Sequence, residues 1–189
     1  MSSLGRAIVY TRHDGGVSVC VPTDEIFSVM QCGGYWDLMP RGFVDEQIDR
    51  QISSGIAPDH ARRFAHAVAF GGCTQAEVWD IIKDRDCARH GTLHELIDTS
   101  ELPDRWFRDA WARSHNGGPV GVDLEKAKVI QWRKLLDAVS QENKKREYDI
   151  FGLPPIEFPR LTYETAIKHA RDDEELRKIW APGLSLPPS

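Results

Sequence analysis

Hydrophobic and polar positions alternate near the start of the chain and then repeat every three to four residues along most of it. Residues 7–11 and 17–21 are apolar, β-branched runs, and the sequence RHDGG lies between them. An Asp-Gly pair supplies the positive φ angles that a hairpin turn needs. The pattern therefore predicts an antiparallel β-hairpin at the start of the chain.

Helical spacing dominates residues 24–83. One helix is expected from Asp24 to the Gly33-Gly34 pair, and another from Pro58 to Gly71-Gly72. Between them a helical stripe is formed by Val44, Ile48 and Ile52. Thr74 and Glu77 have the spacing of a capping box, which predicts that a fourth helix starts at this point.

Residues 93–98 predict a strand in which Leu93 and Ile97 are buried, and ELPDRWFRDAWARS follows it. In that segment helical spacing gives one apolar side, formed by Trp106, Phe107, Ala110 and Trp111. A buried stripe is favoured over an exposed aromatic site, because large aromatic side chains are mostly internal.

The rest of the chain predicts a strand over residues 119–122 and a long helix capped by Asp123. The apolar stripe expected along that helix consists of Val129, Trp132, Leu136 and Val139. A Pro-rich arm over residues 150–165 precedes two short helices. The arm either packs on its own domain or docks on a neighbouring subunit through Phe151, Leu153, Ile156, Phe158 and Leu161.

Composition narrows the class of protein. The chain has 189 residues, of which 41% are hydrophobic and 28% charged, as in a globular domain. The net charge of −5 argues against nonspecific duplex binding, since phosphate contacts need a basic face. No apolar run is long enough to span a bilayer, and the first residues do not resemble a signal peptide. A cytosolic location with reduced cysteines is therefore expected.

The best candidate for a metal site is the set of Cys73, Cys87, His90 and His94. Zinc prefers four nitrogen or sulfur ligands, and CARHGTLH supplies three of them. The fourteen-residue gap between the two cysteines departs from zinc-knuckle spacing. Buried thiols with surface imidazoles are therefore the favoured interpretation, and no metal ligand is assigned.

No other pattern identifies an active site. His60 and His66 fall on different faces of one helix, and His13 is expected to be solvated in the hairpin turn. Residues 84–104 offer several carboxylates, but a catalytic pair needs convergence in a cleft, which the sequence does not show. Both a phosphate-binding loop and a nucleophile elbow are missing from the sequence. The basic end of the long helix, KKREY with upstream Arg133 and Lys134, could contact nucleic acid or an acidic partner, but the favoured interpretation is that the helix dipole alone places it there. Neither catalytic residues nor a cofactor is predicted.

Several segments together resemble a group of uncharacterised small proteins of tailed phages and prophages of proteobacteria, often encoded near tail genes. The resemblance spans residues 6–23 and 74–184. Its motifs consist of Asp104, Arg105, Phe107, Arg108, Ala110 and Trp111, then Val122, Asp123, Lys126, Ala127 and Lys128, then Glu174, Glu175, Leu176 and Trp180. It implies a phage accessory or structural protein and transfers no catalytic residue. Residues 24–73 look like an insertion relative to this pattern.

We therefore expect an α+β fold, with a small antiparallel sheet built on the hairpin and residues 93–98 and 119–122 as further strands. Residues 1–150 are expected to form the core, and residues 151–189 the arm with its short helices. The expected function is that of a non-enzymatic phage protein that contacts other phage proteins or itself, in the host cytoplasm or the virion. The alternatives are a regulatory protein that binds a host protein or nucleic acid, and a small zinc-binding protein or enzyme.

Overall fold

The computed structural model of the protein describes residues 5–148 and 152–185. They adopt the predicted α+β fold, a small antiparallel sheet with an N-terminal hairpin and several helices. The chain forms two compact units, one of residues 1–101 and 113–119, the other of residues 102–112 and 120–189. The domain boundary predicted after residue 150 lies beside residues 149–151, which are outside the described ones, and stays a prediction.

The sheet of the first unit confirms the N-terminal hairpin. It consists of β1 (Arg6–Arg12), β2 (Val17–Cys20) and β3 (Gly91–Asp98), and β1 lies in the middle, antiparallel to both neighbours. In the β1–β2 turn the amide of Gly16 donates to the Asp14 carboxylate over 2.9 Å. The turn therefore uses the Asp-Gly chemistry that the sequence predicts.

Four helices and the sheet share the core of the first unit. The helices are α1 (Asp24–Cys32), α2 (Phe43–Ser53), α3 (Pro58–Phe70) and α4 (Gln75–Ile82), and a π-helical turn, Lys83–Cys87, extends α4. The helices predicted over residues 24–73 are thus confirmed. Phe27 and Phe64 from this region pack in one buried cluster with Ile8 of the sheet, so the region is part of the core.

Strand β3 departs from the predicted alternation. The expectation that Leu93 is buried is wrong, because its side chain is 38% exposed and its φ is +55°. The register between β1 and β3 also shifts here: Val9 pairs with Glu95, whereas Thr11 pairs with Thr92. Such a β-bulge re-aims the side chains that follow it, and His94 comes directly after Leu93.

Two further predictions about strands and helices are wrong. Residues 103–113 do not form one α-helix: a 3₁₀ helix, Arg105–Ala110, leads into β4 (Trp111–Ser114). The strand predicted at 119–122 exists as β5 (Gly117–Val122), but it pairs with β4 in a separate two-stranded sheet. The physical reason is that β4 and β5 satisfy each other's backbone groups as a hairpin of their own. Burial was predicted correctly for Phe107, Ala110 and Trp111.

The second unit is built around α5 (Leu124–Glu147), with α6 (Arg160–His169) and α7 (Asp173–Lys178). Asp123 caps α5 as predicted, and its carboxylate accepts from the amide of Lys126. The predicted stripe on α5 is displaced, because Val129 is 58% exposed. The buried positions are Ala127, Gln131, Leu135 and Val139.

The Pro-rich arm packs within the second unit over its described part. Ile156 is buried in the core of that unit, and Phe158 stacks on Tyr163 with ring centroids 4.9 Å apart. Leu153 and Leu161 are exposed. Phe151 lies outside the described residues. Ile156 and Phe158 therefore pack on their own domain, which is the first of the two alternatives predicted for the arm.

Candidate functional site

The candidate set of Cys73, Cys87, His90 and His94 does not converge in the structure. Within residues 5–148 and 152–185, no three His, Cys, Asp or Glu side chains are grouped so as to hold a metal ion. Cys87 is buried and His90 is exposed, as in the favoured interpretation of buried thiols and surface imidazoles, whereas Cys73 is only half-buried. The exception is His94, which is not a surface imidazole, because its Nε2 is buried. The bulge at Leu93 explains this difference.

A pair of thiols that the sequence pattern did not reveal joins β2 to the π-helical turn. Hydrogen bonding to Cys20, and then burial, raises the pKa of Cys87. The same hydrogen bond lowers the pKa of Cys20. Because the two residues are 67 positions apart, spacing alone gives no signal for this contact. At neutral pH Cys87 is therefore expected to stay protonated and unreactive.

The other charged candidates have structural partners. Arg63 pairs with Asp84 over 2.9 Å, and Arg85 pairs with Asp86 over 2.7 Å. Lys134 donates to the carbonyl of Trp106 over 2.6 Å, and its ammonium lies 3.8 Å from the centroid of that indole ring. These contacts bind the charges of Arg63, Asp84, Arg85, Asp86 and Lys134 within the fold.

The segment that joins α1 to α2 exposes large apolar side chains. Leu38 is 97% exposed, Tyr35 59% and Met39 47%. Trp36, in the same segment, is half-buried and packs edge-on against Phe43 at 5.6 Å. We call these four side chains (Tyr35, Trp36, Leu38 and Met39) the α1–α2 surface. Exposed apolar side chains grouped in this way are typical of an interaction site.

Close backbone contact fixes the start of this segment. Gly33 follows α1 with φ at +73°, and Gly71 follows α3 with φ at +67°. A Cβ at either position would overlap the backbone of the other helix end. The amide of Gly34 also donates to the carbonyl of Ala69 over 2.9 Å. The two glycine pairs therefore stop their helices, as predicted, and also anchor the segment to α3.

A groove of about 240 Å³ lies beside the α1–α2 surface. Its apolar lining is Ile26, Val29, Tyr35, Trp36, Phe64 and Val68. Residues 24–53, which contain the surface, carry six acidic and two basic side chains, a net charge of −4. Residues 24–53 therefore account for −4 of the net charge of −5 that the whole chain carries.

None of the described helices is both long and apolar enough to cross a membrane. Comparison with known proteins gives no relative: the chain matches no family model, no curated protein and no solved structure. The candidate site is therefore argued from its own geometry and charge.

Proposed function

We propose that this chain is a non-enzymatic protein that acts through protein–protein contacts, with the α1–α2 surface as its binding site. The observation that carries the proposal is the exposure of Leu38, Tyr35 and Met39 beside an apolar groove. Burying one such side chain contributes about 1.5–3 kcal/mol. Tyrosine and methionine are also enriched at protein interfaces. A partner that covers this segment removes the largest exposed apolar side chains of α1–α2 from water.

The charge around the surface indicates the chemistry of the partner. Residues 24–53 carry a net charge of −4. This charge favours a partner in which lysine or arginine flanks an apolar anchor. Charges at the rim of an interface act mainly on the association rate. Association is therefore expected to slow as salt is added, while the apolar anchor sets the dissociation rate.

The biological setting that we propose is phage assembly, with a phage protein as the partner. Its support is the resemblance of residues 6–23 and 74–184 to small phage proteins. The binding surface lies in residues 24–73, the segment that looks like an insertion relative to them. The partner specificity of this chain is therefore expected to differ from that of proteins without the segment.

The test is a pull-down from lysate of phage-producing cells, together with mass spectrometry of purified particles. Leu38→Asp places a charge at the centre of the surface. Leu161→Asp is the matched control, because Leu161 is 77% exposed but lies at the start of α6. We expect wild-type protein and Leu161→Asp to retain a phage protein and Leu38→Asp to lose it, with at least about a tenfold drop in affinity.

Each other outcome has a defined meaning. Equal retention by all three proteins would refute the α1–α2 surface as the binding site. If the partner that Leu38→Asp loses is a host protein and not a phage protein, the α1–α2 surface remains the binding site and the phage setting is refuted. Absence of any specific partner of the wild-type protein, in lysate and particles alike, would refute the proposed function.

A further inference from the structure

A second cavity, of about 580 Å³, lies in the first unit, against β1, β3 and α4. Its apolar walls include Ile8, Leu96 and the ring of Trp79. Arg6, Lys83 and His94 are among its polar lining residues. An apolar cavity of this size with a few polar groups is typical of small-molecule sites. The α1–α2 surface shares no lining residue with it.

Trp79, which lines this cavity, has an unmet hydrogen-bond donor. The residue is only 5% exposed and packs edge-on against Phe27 at 4.9 Å. Its Nε1 is buried and has no partner among the described residues. The indole nitrogen is solely a donor, and leaving a buried donor unpaired costs free energy. A ligand that supplies an acceptor would remove this cost.

His94, which also lines the cavity, has a second unpartnered nitrogen. Its ring lies 5.5 Å from the ring of Tyr10, and its Nε2 is buried without a partner in the described part of the chain. The β-bulge at Leu93 places the imidazole here. Both nitrogens have almost no exposed surface, so a ligand must reach them through small side-chain movements, which commonly accompany binding.

The charges in the cavity wall favour an anion. Asp80 is paired with Lys83 over 2.7 Å. Glu95 accepts from the amide of Gly118 over 3.1 Å. By contrast, the side chain of Arg6 makes no hydrogen bond or close ion pair with another described residue, and the charge that it faces is Asp98, opposite it in the β1–β3 register. The groups that remain for a ligand are therefore mainly donors.

The amino end of α4 also lies at the cavity, but it is not the anchor. Glu77 accepts from the amide of Thr74 over 2.8 Å, and the Thr74 hydroxyl accepts from the amide of Glu77. This capping box already places a carboxylate at the helix start. The assignment of an anion site therefore depends on Arg6 and Trp79.

From this geometry we infer that the cavity binds a planar aromatic carboxylate. The ring of the ligand would lie against Ile8, Leu96 and the Trp79 indole. Its carboxylate would accept from the guanidinium of Arg6 and from Nε1 of Trp79. This binding activity is separate from the proposed protein-binding function, because the two sites use different residues.

The test uses 2-naphthoate as the probe and ¹⁵N-labelled full-length protein. Indole N–H resonances are resolved from backbone amides, and Trp79→Phe identifies the resonance of Trp79. Trp79→Phe keeps an aromatic ring against Phe27 and removes the donor together with part of the indole ring. Arg6→Gln removes the cation, and Arg50→Gln on α2, whose side chain is exposed, is the matched control. The uncharged 2-naphthamide tests the need for the carboxylate.

We expect 2-naphthoate to bind one to one and to shift the Trp79 indole resonance more than those of the other tryptophans. Arg6→Gln and Trp79→Phe are each expected to weaken binding about tenfold, with Arg50→Gln unchanged. The naphthamide is expected to bind more weakly than the carboxylate. The inference is overturned if no Trp79 shift occurs up to about 1 mM probe. It is also overturned if Arg6→Gln and Arg50→Gln bind the probe equally.

Discussion

Gln131 is buried in the middle of α5, with no exposed surface. Its Oε1 accepts from Nε1 of Trp106 over 2.7 Å, and its Nε2 donates to the carbonyl of Ile179 over 2.8 Å. One amide therefore links the 3₁₀ helix, α5 and the residues after α7. We predict that Gln131→Met, which keeps the volume but removes both bonds, destabilises the second unit.

The expected size follows from the two groups left behind. An unpaired buried donor or acceptor costs about 1–3 kcal/mol. Trp106 is half-buried, so its indole N–H regains part of this cost from water. We therefore expect Gln131→Met to lower the free energy of unfolding by about 2–3 kcal/mol.

The assay is urea unfolding followed by far-UV circular dichroism. Gln141→Met is the matched control, because Gln141 lies on the same helix and is exposed. Trp106→Phe completes a double-mutant cycle, in which a coupling of about 1 kcal/mol to Gln131 is expected. The reasoning is refuted if Gln131→Met lies within about 0.5 kcal/mol of Gln141→Met, the usual range for surface substitutions.

Three further predictions concern caps, thiols and metals. Asp123→Ala should cost about 1 kcal/mol. Hydrogen bonding to the amide of Lys126 lowers the pKa of Asp123 from its ordinary value of 3.8. The wild type therefore keeps the stability that this cap contributes above pH 3.8, and loses it as the pH falls through the folded-state pKa. As the pH is lowered, the urea midpoint of Asp123→Ala should therefore fall less than that of the wild type. Equal falls of the two midpoints would contradict this prediction. Iodoacetamide at pH 8 should modify exposed Cys32 first and Cys87 last, as read by mass spectrometry; equal rates would refute the assigned burial. A chelator should leave the melting temperature unchanged, and a fall would restore Cys87 and His90 as metal ligands.

The parts of the fold that could be predicted from the sequence depend on local chemistry. The β1–β2 turn follows from Asp14 and Gly15, and the start of α4 follows from Thr74 and Glu77. In each case the side chain bonds to backbone within three residues, so the signal is contained in a short window. These elements were therefore placed to within a residue or two.

Elements that depend on distant partners could not be placed in this way. Trp111 has helical spacing from Phe107, yet its backbone is extended because it pairs with β5. The inward face of α5 includes Gln131, which a search for apolar positions leaves out. The predicted stripe therefore ran through Val129, which is exposed. A buried amide is acceptable there only because Trp106 and Ile179 satisfy it. No pattern within α5 contains that information.

The same limit explains why neither candidate site was found in advance. Leu38 and Leu96 are the same residue type, but Leu38 is almost fully exposed and Leu96 is partly buried against the core. Leu38 lies in the segment whose start is fixed by the contact of Gly33 with Gly71, whereas Leu96 lies on β3 and packs against the core cluster. Whether the Trp79 nitrogen finds a partner likewise depends on how β3 and α4 meet. Function in this chain is therefore sought in what the packed core leaves unsatisfied: apolar side chains in water and donors without acceptors.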